Sequence, residues 1–382
     1  IEVPLGQVAY VTEIRATNCL ALNGGVVYQD GGFDGGGVLD IGSLSAVACR
    51  STDYSANSLP KKTGGGVVYC YSCQLHVGTL DATDTLADNA GVIFISAWTT
   101  RTPPLTSVVT IDTINAANVH ATGFAAGVMY AYSSTVTVGD LVVDGCSSLQ
   151  EGGAVGLSGA DVTFGSIKAN NCDCSNSFND LGASFGGGVL AAWDRAVVDI
   201  GLLEAKDCSS AQPGGVLYAD EYSTVTVSKL RASNCSSSAG GPYDTIGVQG
   251  GGVVFAQHQS EVSISDGRFE YNDAKRGAAA ALDDTSTLQL TYVQVLHNCS
   301  TSNASSILYT SAASLNAPFR GLSIHLENCT TEGFVAIQGF ASPSICADKS
   351  FTNPSTGRAQ QLCGPAATCS DDQIFPSSNT SN

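Results

Sequence analysis

The residues best suited to chemistry recur at matching places along the chain. Six or seven positions past successive Gly-Gly pairs, or their equivalents, come Trp193, Asp194 and Arg195, then Asp220 and Glu221, then His258, then Asp283 and Asp284. Two carboxylates can act as acid and base about a glycosidic bond, and a carboxylate with Ca2+ and a base can abstract a proton. In that reading Asp220 and Asp283 are the acid/base pair, His258 shuttles the proton and Asp194 adds a carboxylate. Trp193 and Arg195 then offer a sugar platform and a grip on a substrate carboxylate. The same residues have a plainer reading. Asp is favoured in turns because its side chain bonds the local backbone. Residues two layers apart in a β-stack also lie ~9–10 Å from each other, which is wide for a carboxylate pair. Earlier repeats place Asp30, Ser72, Ser96, Tyr132 and Ser158 near the same spot, so the acids concentrate between 187 and 290.

What would position these residues is a repeat. Residues 214–235 read GGVLYADEYSTVTVSKLRASNC, and Val225, Val227, Leu230, Ala232 and Cys235 follow an apolar-x-apolar-x-x-apolar-x-apolar-x-x-Cys spacing. The template fits again at Ala9–Cys19, Leu39–Cys49, Val136–Cys146, Val162–Cys172 and Val198–Cys208. Five further copies, beginning at Leu75, Val109, Val262, Leu288 and Phe319, keep the apolar columns with changes at or beside the last position. The glycine half recurs as GGVVY, AGVIF, AGVMY, GGAVG, GGVLA and GGVVF.

Alternation with period two means strands, because alternate side chains face one way. Each copy is too small to bury a face alone, so copies must stack. The i+3 step inside the template marks a bend. Paired glycines suit positive φ or close backbone approach between layers. Glycine pairs recur at intervals as short as 25–28 residues, enough for a three-sided coil. The expected fold is all-β: a single-stranded right-handed parallel β-helix of about eleven coils over residues 1–340. Residues 341–382, with Cys346, Cys363 and Cys369, form a disulfide-tied cap or linker. Longer insertions at 50–64, 173–186 and 236–250 leave one corner of the coil. They serve either as a binding face or as tolerated decoration.

Gly152–Val155 (GGAV) and Phe269–Asn272 (FxxN) resemble the GGAI and FxxN motifs of polymorphic outer-membrane-protein repeats. Over about residues 8–340 the chain resembles right-handed β-helices of the pectin-lyase-like superfamily. That resemblance implies either a surface role or a polysaccharide-processing one. The Asn-Thr-Asp with Gly-His-Gly and Asp-Pro-Asp-His motifs associated with pectinolytic and alginate-modifying members are absent.

Composition narrows the classes. The formal charge is −18, from 34 acids against 16 bases, with no Lys/Arg-rich run, so nucleic acid is not an expected partner. No apolar run reaches the ~18 residues of a membrane span, and the opening IEVPLGQVAY lacks the features of a signal peptide, as a mature form would. Fourteen cysteines and sequons at Asn234, Asn298, Asn303, Asn328 and Asn379 point to a secreted or cell-surface glycoprotein. Cys19, Cys49, Cys146, Cys172, Cys208 and Cys235 share one column and are disulfide candidates, such as Cys19–Cys49 or Cys208–Cys235; a buried ladder of thiols is the alternative. Cys70 and Cys73 form a CxxC without a second ligand pair, so a local disulfide or two thiols is expected there, not zinc. His76, His120, His297 and His325 show no acidic partner at a recognisable spacing. DGGFDGGG at 30–37 resembles Ca2+-binding glycine repeats but occurs once and off register, so no cofactor is expected, with Ca2+ the one candidate. The reading is a non-catalytic extracellular structural or adhesive module, a subunit of a surface filament or coat. It would partner itself, other extracellular proteins or glycans. A polysaccharide lyase, hydrolase or epimerase working at the 187–290 corner is the alternative, and a carbohydrate-binding module a further one.

Overall fold

The computed structural model describes most of residues 3–338. The insertions at 52–64, 98–105, 176–185 and 239–249, several short turns, much of 297–338 and everything from 339 onward lie outside the described residues, and side chains are described up to 293. The tail cysteines Cys346, Cys363 and Cys369 are among those left out.

The chain is a right-handed parallel β-helix. Each coil contributes one long strand, such as Val8–Thr17, Val38–Val47, Val108–Ala121, Thr135–Ser148, Asp161–Cys174 or Thr224–Ser233. It also contributes one strand of four residues or fewer to a second sheet of eleven strands. All pairings are parallel and in register, so Ile14, Leu44, Leu80, Ile114, Leu141, Ile167, Leu203 and Leu230 form one column. Among the described residues there is no helix, and hence none that could cross a membrane.

The bend expected from the i+3 step is present. In the ladder joining Val8–Thr17 to Val38–Val47, Val11 pairs Ile41 and Glu13 pairs Ser43, but Thr12 and Gly42 do not pair. The long strand therefore turns there and shifts its inward phase by one. Gly42, Gly78, Gly139, Gly165 and Gly201 fall at this bend, where a Cβ on Gly165 would sit 2.5 Å from the Gly139 carbonyl oxygen.

The two glycines of each pair answer different demands. The first often has positive φ, as at Gly152 (50°) and Gly214 (79°). The second lies against its neighbour: a Cβ on Gly153 would come within 2.1 Å of the Gly188 carbonyl oxygen. A side chain at these second glycines would meet the next coil's carbonyl, so glycine fills that place in most coils, with Ala278 in it one coil beyond Gly252.

Polar residues also stack. Ser107, Ser134, Ser223, Ser260 and Ser286 are buried at one inner corner. There the backbone N–H of Ser223 donates to Ser260 Oγ at 3.3 Å and that of Ser260 to Ser286 Oγ at 3.1 Å. These hydroxyls satisfy backbone groups that the turn withdraws from the ladder. At another corner a column of left-handed residues includes Asn18, Asp84, Asn118, Asn171, Asp207 and Asn234. Asn118 Nδ2 donates to Asp84 Oδ1 at 3.2 Å, and Asn234 Nδ2 to Asp207 Oδ1 at 2.5 Å. Asn and Asp tolerate this conformation better than other residues with a Cβ.

On the outer face of the second sheet, rings lie above one another. Tyr28, Tyr69, Phe94 and Tyr130 stack with centroids 5.1, 5.6 and 5.3 Å apart, and Tyr218 stacks on Phe255 at 5.7 Å. Between the two sets Gly156 and Ala191 occupy the ring column, and the Trp193 indole reaches over Gly156 towards Tyr130.

Replacing Leu141 with Ala should test the central column. Leu141 is fully buried between Ile114 and Ile167, so Leu141→Ala should lower unfolding free energy by about 2–5 kcal/mol in urea titrations followed by circular dichroism. Val142→Ala, on the exposed face next door, should change it by less than about 0.5 kcal/mol. Equal effects would contradict the assigned inward face.

Candidate functional site

The acid-rich corner is built by three consecutive turns of one design. Between the second sheet and the serine column, earlier coils turn through one left-handed residue, at Ser72, Ser133 and Gly159. The next three turn through two: Asp194 and Arg195, Glu221 and Tyr222, His258 and Gln259. The corner is thus one residue longer where the acids cluster. Each left-handed residue with a Cβ costs about 1–2 kcal/mol, so six of them stacked represent strain that surrounding bonds must hold. The Arg195 backbone N–H donates to the Glu221 carbonyl at 2.8 Å, and that of Tyr222 to the His258 carbonyl at 3.0 Å.

Asp220 organises this corner. Its side chain is only 5% exposed, and its two oxygens accept four hydrogen bonds. Oδ1 meets His258 Nδ1 at 2.6 Å and the Glu221 backbone N–H at 2.7 Å. Oδ2 accepts from the Tyr218 hydroxyl at 2.7 Å and from Gln257 Nε2 at 2.8 Å. Gln257 Nε2 also lies 2.6 Å from the Tyr218 hydroxyl oxygen. Burial, followed by the Asp220 charge, pushes the Tyr218 phenol far above its ordinary range, so it stays a donor. A carboxylate so enclosed is suited to orienting His258, whose ring reaches the surface, more than to meeting a substrate itself.

The structure brings some of the sequence-selected residues together and separates others. Asp194, Glu221 and His258 follow one another on successive exposed turns. Arg195 is exposed, with its guanidinium carbon 5.7 Å from the Tyr222 ring centroid. Trp193 is 7% exposed and packs against Tyr130, so its ring is held in the stack and not presented as a platform. Asp283 and Asp284 lie outside the described residues. Sequence reasoning passed over Tyr218 and Gln257. The signal was available: Tyr218 precedes Asp220 by two and shares its outward face, while Gln257 stands directly over Asp220 in the register.

Elsewhere, Cys70 and Cys73 are joined in a local disulfide. Cys19, Cys49, Cys146, Cys172, Cys208 and Cys235 stand in one column with their sulfurs separate, and Cys174 lies beside it. Asn234 is exposed, and its amide is the donor to Asp207 described above; Asn298, Asn303, Asn328 and Asn379 lie outside the described residues. Among the described residues no group of three or more His, Cys, Asp or Glu side chains is arranged to hold a metal ion. His76 corrects the expectation that it has no acidic partner: Nδ1 lies 2.8 Å from Asp40 and Nε2 3.7 Å from Asp112, on the coils before and after it. His120 Nδ1 lies 2.8 Å from Ser147 Oγ.

The hydrogen bond to Asp40, aided by the charges of Asp40 and Asp112, raises the His76 pKa above its ordinary value. The raised value means that its contribution to stability is full below the ordinary histidine range and is lost as pH rises through the folded-state pKa. The side chain is 40% exposed, so solvent keeps that contribution small. An NMR titration of the ring should give a midpoint above that of a free histidine, and Asp40→Asn should pull it down. An unchanged midpoint in the variant would refute the pairing.

No protein-family model, curated protein or solved structure matches this chain.

Proposed function

We propose that the chain is a non-catalytic structural or adhesive module acting outside the cell, which lengthens a surface filament or coat by stacking coil upon coil. In this reading it is a relative of the right-handed β-helices of the pectin-lyase-like superfamily. The observation that carries the proposal is the outer edge of the long strand Val8–Thr17. Among the described residues no strand pairs with that edge. Its inward residues Ala9, Val11, Ile14 and Ala16 are only half-buried, whereas Leu39, Ile41 and Leu44 one coil further in are fully buried. Tyr10 and Leu20 are 77% and 73% exposed. A ten-residue edge left unpaired by the described residues is a template for another coil of the same repeat, and in this proposal that coil comes from a second copy of the chain. The Cys70–Cys73 disulfide and the exposed sequon at Asn234 support an extracellular setting.

Like-charged copies at −18 repel, so association should strengthen as salt screens them. Sedimentation and electron microscopy should show rods in multiples of roughly 50 Å, eleven coils at the strand spacing. They should grow with protein and salt concentration, and Val11→Lys should abolish them. A monomer under all conditions would overturn the proposal.

A second reading is favoured by the lengthened corner at 193–259. A polysaccharide-active enzyme would use His258 to move the proton, Asp220 to fix its ring, and Arg195 to hold a substrate carboxylate. A carbohydrate-binding module would use the same surface without turnover. Incubation with acidic polysaccharides separates them. An enzyme releases unsaturated or reducing ends, loses activity in His258→Ala and is slowed in Asp220→Asn. Retention of the glycan without products marks a binding module, and neither retention nor products rules out both.

A further inference from the structure

One inward column, set just after the left-handed corner residue, runs Cys19, Cys49, Thr85, Val119, Cys146, Cys172, Cys208, Cys235 and Asn272. Among the described residues its cysteines fall in one run of two and one run of four, divided by Thr85 and Val119. Both runs are even, so each of these six cysteines can pair with a neighbour. Cys146 and Cys172 are partners in the strand register, with sulfurs 2.6 Å apart. That is inside van der Waals contact and a little beyond the ~2.05 Å of a bond. Cys174 sits one column away, between Ser148 and Ser210, with no cysteine above or below it.

We propose that this column is oxidised into three inter-coil disulfides, Cys19–Cys49, Cys146–Cys172 and Cys208–Cys235, formed while the chain folds. Pairing within the run of four is restricted by geometry. A central Cys172–Cys208 bond would strand Cys146 and Cys235 three coils apart, roughly 14 Å at the strand spacing, far beyond the ~7 Å Cα limit for a bridge. Timing follows from burial. Cys49, Cys146, Cys172, Cys208 and Cys235 are almost wholly enclosed, so an oxidant cannot reach them in the closed stack. Burial also pushes the Cys146 thiol up, while hydrogen bonds with Cys172 and Cys235 pull Cys208 down, so exclusion of the oxidant and not loss of thiolate sets the timing.

The chemistry is thiol–disulfide exchange with a small-molecule disulfide or an oxidised dithiol oxidoreductase. One cysteine thiolate attacks a sulfur of the oxidant, the oxidant's S–S bond breaks, and a mixed disulfide forms as one oxidant thiolate leaves and takes a proton. The neighbouring cysteine loses its proton and attacks the protein sulfur of the mixed disulfide. The second oxidant thiolate then leaves. Each bridge removes two electrons and two protons from the protein and reduces one oxidant disulfide to two thiols.

The test uses the full chain secreted from an oxidising host, unfolded in excess alkylating agent without reductant, digested and mapped by mass spectrometry. The expected result is three linked peptide pairs, 19–49, 146–172 and 208–235, with Cys174 alkylated. Alkylation of all six column cysteines, or a dominant 172–208 link, would overturn the proposal. Cys172→Ser should free Cys146 for alkylation and leave 208–235 linked; loss of both bridges would contradict independent pairing. Glutathione disulfide should bridge the reduced chain during refolding and leave the folded, reduced protein largely unbridged. Equal rates in the two cases would refute the assigned timing.

Discussion

The parallel hydrogen-bond ladder between consecutive coils is the constraint from which the rest descends. It sets each coil about 4.8 Å from the next and fixes the register, so any residue type that suits one position must suit the positions above and below. Apolar residues, glycines, serines, rings and thiols each become columns for that reason. A column solves a local problem once and repeats the solution. The second glycine of each pair admits a carbonyl oxygen from the neighbouring coil, and the buried serines catch backbone N–H groups at a corner. Contacts are then mainly between nearest-neighbour coils, as expected for a quasi-one-dimensional protein.

How much was legible follows from this. The inward columns could be read directly, because apolar residues at i, i+2, i+5 and i+7 leave a mark in composition; Leu44, Leu141 and Leu230 fall in one buried column as the template requires. The bend and the glycine pairs were legible for the same reason. The outward columns were harder. His76 lies 36 residues from Asp40 in sequence, and their contact depends on an exact coil length that varies with every insertion. The ring stack was visible in the final Tyr or Phe of GGVVY, AGVIF, AGVMY, GGVLY and GGVVF. Those residues alternate with the core, so they read as solvent-facing until the coils are superposed.

The acid corner shows how register changes a chemical reading. Counting from the glycines drew Asp220 and His258 together as acid and shuttle, and the structure does place them in contact. The same register surrounds the carboxylate with Tyr218, Gln257 and a backbone N–H, leaving its oxygens occupied. A buried carboxylate that lost these partners would be costly, so they explain how Asp220 is tolerated there. They also stiffen a turn whose backbone is unfavourable by itself. The network therefore has a sufficient structural role, and chemistry at this corner would fall to groups that reach solvent, His258 and Arg195.

A stack with its sides satisfied by its own ladder has limited places to meet other molecules. The broad faces hydrogen-bond internally through every coil, and their outward residues are spaced by the same repeat. What differs from coil to coil is found at corners, where one extra residue changes a turn, and at the Val8–Thr17 edge, which no described strand continues. The end at Val8–Thr17 exposes both the backbone groups of a strand and the apolar residues that a neighbouring coil would cover. The backbone groups there can be solvated by water, but the apolar residues cannot, and burying them releases free energy in proportion to area. Between corner and end, it is the end that combines directional bonding with a hydrophobic driving force. The self-association proposed above would use that edge, and would repeat between molecules the contact that already joins one coil to the next.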